Sequence, residues 1–191
     1  MLTFRQYLTE DKNTHLIHLE DLAFEGSARV QEGIYFLEEL AQMLGGNSKS
    51  KVNASVKWDG APAIICGKNP ENGKFFVGTK SVFNKRPKVN YTVADIRKNH
   101  TSGVGDKLVD ALKNLKGLPI RGILQGDMMF GSGDTKVERI KGESYITFTP
   151  NTITYAVPVD SDLGRKIKQA KFGIVFHTEY TGRTLSKMSS K

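Results

Sequence analysis

One cysteine occurs in 191 residues, and its scarcity sets the first limits. Cys66 alone excludes an internal disulfide and any zinc site built on several thiolates, and its place in the apolar run APAIICG (61–67) marks it as a small core residue. Long hydrophobic runs are also missing. No segment approaches the roughly 20 apolar residues that span a bilayer, and the N-terminus has no apolar signal-peptide core, so the reading is a soluble, non-secreted protein without a membrane partner. The sequons at Asn53, Asn90 and Asn99 then carry no meaning. Low-complexity tracts and internal repeats are absent, and with 38% hydrophobic and 25% charged residues the chain belongs to neither the disordered nor the fibrous class. Four histidines show no metal-ligand spacing, and no Gly-x-Ser-x-Gly elbow or dinucleotide fingerprint is present, which removes support for hydrolase, zinc and dinucleotide readings. The remaining metal candidate is His177 with Glu179, two residues apart on a strand. A phosphate-binding P-loop fails as well, because Thr79 separates Gly78 from Lys80.

What is present is basic. Twenty-eight Lys and Arg against 20 Asp and Glu give a formal charge of +8, which favours polyanionic partners such as nucleotides or nucleic acid. The length suits one domain with its own core. Residues 1–14 read as a separate arm, followed by a domain over 15–191 with its core at about 53–180. Val30, Ile34, Leu37, Leu40, Ala41 and Leu44 fall on one face of a helix over about 27–44, stopped by Gly45 and Gly46. Strands are expected at about 53–57 and on both sides of the turn GKNPENGK (67–74), where they form an antiparallel hairpin. Thr92 with Asp95 caps a short helix, and Leu108, Leu112 and Leu115 mark a second. Further strands are expected in IRGILQGDMMF, SYITF, TITYAV and KFGIVFHTEY, with a helix in SDLGRKIKQA. Hairpins alternating irregularly with helices predict an α+β fold with mostly antiparallel sheets.

The segment SVKWDGAPAI (55–64) concentrates the chemistry. An ordinary lysine is protonated at neutral pH, with a pKa of about 10.4, and is no nucleophile. An apolar strand with further cations nearby lowers that pKa, and Asp59-Gly60 can form a tight turn at the strand end. KWDG resembles the Lys-x-Asp-Gly signature of the covalent nucleotidyltransferases, the superfamily of ATP-dependent DNA and RNA ligases and mRNA capping enzymes. Further segments follow in the family's order over about 53–180. The resemblance implies that Lys57 attacks the α-phosphate of ATP, or of GTP, with Mg²⁺ neutralising the triphosphate, to give a lysyl-NMP. It makes Asp59 part of the catalytic turn, with Val56, Lys57, Trp58 and Gly60 lining the nucleotide. Lys80 in GTKSVFNK resembles the basic residue at the ribose and phosphates, and Lys85 and Arg86 follow as nucleic-acid contacts. Asp127 in GILQGDMMFG resembles the ribose-binding carboxylate, where most members have Glu, and is also a metal candidate with Glu179. KFGIVFHTEY resembles the purine-stacking strand, with Phe176 first and Phe172 second. The acidic residue that reads adenine two places before the lysine is Ser55 here, which leaves the base open.

The family's fourth and fifth motifs, an acidic metal ligand before Gly-apolar-Val and a Lys-x-Lys on the triphosphate, are not visible before Lys191. MLTFRQYLTE resembles a phage capsid-targeting peptide, so the expected setting is a tailed bacteriophage, in the host cytoplasm or the phage head. Three readings stay open: a ligase-like enzyme acting on DNA or RNA ends, a phage structural or DNA-associated protein that keeps the fold without the chemistry, and a protein-modifying adenylyltransferase that forms no lysyl adduct.

Overall fold

A computed structural model of the protein describes residues 19–46, 57–101 and 103–190. The arm at 1–14, Ser55, Val56 and most of the strand expected at 53–57 lie outside the described residues. Two compact units divide the chain, 1–57 and 58–191. Charge divides with them: the first holds six Lys and Arg against eight Asp and Glu, the second 22 against 12.

In the first unit, a 3-10 turn (Leu19–Phe24) precedes helix α1 (Ser27–Leu44), which fills the span its periodicity predicts. Gly33 is its one buried residue, close to the side-chain tips of Leu19 and Leu22. Arg29 ties the first turns together through ion pairs with Glu25 and Glu32, and the Gly45 N–H closes the last turn on the Ala41 carbonyl.

The second unit is built on two antiparallel sheets. The larger has the order β2-β1-β3-β7-β8, from strands β1 (Ala63–Lys68), β2 (Phe75–Gly78), β3 (Ile123–Phe130), β7 (Gly173–Thr181) and β8 (Ser189–Ser190). β1 reads as one apolar run because both of its faces are covered: Ile64, Ile65 and Cys66 are all fully buried. On one face, helices α2 (Val93–Asn99) and α3 (Val104–Leu115) bury Ile96, Leu108 and Leu112 over Ile64, Cys66, Val77 and Met128. Burial there pushes the Cys66 thiol up to about 12, so it stays protonated and inert. On the other face, Ile65, Phe76, Ile123 and Tyr180 pack with Val82, Leu185 and Met188.

The smaller sheet, β4 (Lys136–Ile140), β5 (Glu143–Phe148) and β6 (Tyr155–Pro158), is backed by α4 (Asp162–Gln169). Its Ile146, Phe148 and Val157 join Met129, Phe130 and Ile167 in a third cluster. The fold is therefore α+β with antiparallel sheets, as expected. Strands β4 and β8 are not announced by the sequence: all five residues of β4 are exposed, so KVERI carries no buried face to show a period of two, and β8 is only two residues long. The capping box predicted for Thr92 and Asp95 is present, and the Thr92 hydroxyl and the Tyr91 and Thr92 N–H groups hold the Asp95 carboxyl below its usual range.

Candidate active site

Asp127 lies in the second half of β3, between Ala63, the first residue of β1, and Val175 of β7. Its neighbours Gly126 and Met128 face the helices, so Asp127 faces the other way, towards the side on which Trp58 and the smaller sheet pack. A bulge in β7 between the partners of Gln125 and Gly126 adds one residue, His177, to the register. That extra residue turns to the Asp127 face, and its Nε2 lies 3.6 Å from Asp127 Oδ1, with side-chain exposures of 28% for His177 and 18% for Asp127.

The KWDG turn reaches this carboxylate through Gly60. A Cβ on Gly60 would stand 2.9 Å from Asp127 Cβ and 2.6 Å from the Met128 carbonyl, so only glycine lets the turn lie against β3 at this point. The next residue continues the contact: Ala61 N–H donates to Met128 O at 3.1 Å, and Met128 N–H donates to Pro62 O at 3.2 Å. Upstream, the Tyr155 hydroxyl of β6 accepts the Asp59 N–H at 2.7 Å, and Asn151 Nδ2 donates to Asp59 Oδ2 at 3.3 Å. Trp58 packs against Tyr155 in a tilted arrangement with ring centroids 5.0 Å apart, and Tyr155 stacks in turn on Phe148 at 5.5 Å. Lys57, one bond before Trp58, is exposed and outside any strand. The remainder of the apolar strand expected to seat it, 53–56, lies outside the described residues.

Lys80 opens a 3-10 turn (Lys80–Phe83) just after β2, capped by the Thr79 hydroxyl. Because Gly78 pairs with Ile65 and β2 runs against β1, the chain leaves β2 at the end of the sheet where Ala63 meets Asp127. Topology thus brings Lys80 to the same end as the carboxylate. Lys85 and Arg86 follow in an exposed loop.

Two expectations are corrected here. Phe172 and Phe176 do share a face, but it is the one under α2 and α3, where both pack against the core; Phe176 stands directly opposite Gly126. They are not brought together with Asp127. The bulge also parts His177 from Glu179, which pairs with Leu124 and lies against Gly122 on the far face. Neither the His177–Glu179 nor the Asp127–Glu179 pairing can share a metal, and the described residues hold no group of three side chains suited to one.

A cleft of about 350 Å³ runs past Ala61, Met129 and Phe148 and does not include Asp127. Lys107, Lys136, Asp134 and Glu138 all line it, so its charged groups balance. Burial raises the Asp134 carboxyl, but the Lys107 ammonium, 2.6 Å away, and the Gly131 N–H hold it below its usual range. No helix of the described residues is long and apolar enough to cross a membrane.

Residues 13–191 match a family of unknown function, DUF6267, and the chain belongs to it. No curated protein and no solved structure matches the chain.

Proposed function

We propose that this member of the DUF6267 family is a nucleotidyltransferase resembling ATP-dependent polynucleotide ligases, with Lys57 as its covalent nucleophile. The observation that carries the reading is the seating of Gly60, from the KWDG motif, against Asp127. The Lys57 amine, once it has given up a proton to solvent, attacks the α-phosphate of the nucleoside triphosphate. A P–N bond forms, the bond to the pyrophosphate oxygen breaks, and pyrophosphate leaves. Mg²⁺ enters as the counter-ion of the triphosphate, part of the substrate. Asp127 offers an acceptor for a ribose hydroxyl, beside a His177 able to donate, and Lys80 brings a cation to the same end of the sheet. The nucleotide is ATP, with GTP as the other candidate. The second unit's excess of Lys and Arg, Lys85 and Arg86 among them, suits the phosphates of a DNA or RNA end. In this reading the setting is a tailed bacteriophage.

The test is label transfer from ATP or GTP carrying a radioactive α-phosphate, with Mg²⁺, to wild type and to Lys57→Ala. Wild type is expected to take up label, and the variant to take up none while keeping the wild-type circular dichroism spectrum. Equal labelling of both would sink the assignment. A DNA-associated protein that keeps the fold without the chemistry is the second reading, and the exposure of Lys57 is the observation in its favour.

A further inference from the structure

The KWDG turn is gripped from the smaller sheet as well as seated on the larger one. Tyr155 reaches Asp59 from 96 residues away and Asn151 from 92. Tyr155 uses its hydroxyl on both backbone groups of Asp59, accepting the N–H at 2.7 Å and donating to the carbonyl at 3.5 Å. Its ring lies between Trp58 and Phe148, and Phe148 is itself buried against Phe130 of β3. The grip is therefore anchored in the third hydrophobic cluster. We infer that Tyr155 and Asn151 are positioning residues: they hold Trp58 and Asp59 in one conformation and so fix the direction in which Lys57 leaves the turn. This inference rests on the nucleotidyl-transfer reading for its consequence, and the clamp itself can be tested without it.

Trp58 is the single tryptophan of the chain, so its fluorescence reports on the clamp alone. Tyr155→Phe keeps the ring stack and removes the two hydrogen bonds; Asn151→Ala removes the third. Thr154→Val is the control, since it deletes the 2.8 Å hydroxyl contact to Thr149 in the same β5–β6 turn without touching Asp59. Acrylamide quenching of Trp58 is expected to rise in Tyr155→Phe and Asn151→Ala and to stay at the wild-type value in Thr154→Val. In single-turnover labelling, the rate at saturating ATP should fall about tenfold in Tyr155→Phe, while the half-saturating ATP concentration stays within about twofold, because the lost bonds aim the amine and do not hold nucleotide. Unchanged quenching in Tyr155→Phe overturns the clamp. An equal rise or an equal fall in rate in Thr154→Val overturns it too, since the effect would then be general loosening of the turn. A wild type that takes up no label removes the transfer reading and leaves the clamp to be decided by the quenching data.

Discussion

The two sheets of residues 58–191 are covered to different degrees. The five-stranded sheet is buried under helices on one face and under a second cluster on the other. The three-stranded sheet leaves β4 wholly in solvent and spends its contacts on α4, on the end of β3 and on the KWDG turn. The larger sheet is thus covered on both faces, whereas the smaller one contributes its own buried cluster and also reaches the KWDG segment through Tyr155.

The sharpest way to break that comparison is to empty the helix-covered core. Leu108 is fully buried against the larger sheet, and Leu108→Ala should cost about 2–5 kcal/mol in urea denaturation. Gly60→Ala comes next. A methyl there meets the Met128 carbonyl at 2.6 Å, and because that contact is backbone the turn has to lift off β3. Unfolding should become easier by about 1–3 kcal/mol, and labelling of Lys57 should drop by more than that loss of stability explains. A variant with normal labelling would show that the seating of Gly60 on Asp127 has no part in the chemistry.

Asp95→Asn probes the capping box outside both sheets. Because the folded Asp95 carboxyl sits below its ordinary value of about 3.9, it stabilises the fold above that pH and loses its effect as pH falls through the folded value. The variant should therefore be less stable than wild type by up to about 1 kcal/mol at pH 7, since the side chain faces water. The gap should close as pH falls through the folded value; a gap that persists in acid beyond that point would assign the loss to packing. The smallest effect is expected at Val137 of β4, exposed at 64%: Val137→Ala should change stability by less than about 0.5 kcal/mol. A cost like that of Leu108→Ala would mean that β4 is covered in solution and would end the contrast between the sheets.

Much of this fold can be read from the chain because its signals are local. Leu108, Leu112 and Leu115 repeat at helical spacing, Thr92 and Asp95 sit three apart, and the Gly/Asn turn at 69–74 lies between two apolar runs. What could not be read depends on partners far along the chain. Alternation places Phe172 and Phe176 on one face, but only packing decides that this is the helix face. A bulge is a property of the pair β3 and β7, so the meeting of His177 with Asp127 has no mark in GIVFHTEY. Tyr155 and Asn151 reach Asp59 from more than 90 residues away, and no spacing rule would have found them. Lys57 was legible as a motif residue, whereas its exposure was not.

The central claim is that Lys57 accepts a nucleotide, and peptide mapping by mass spectrometry after incubation with ATP and Mg²⁺ tests it most directly. The account predicts an NMP increment on the peptide that contains Lys57 and on no other. An increment on a different lysine, or none under conditions where the protein is folded, would contradict it.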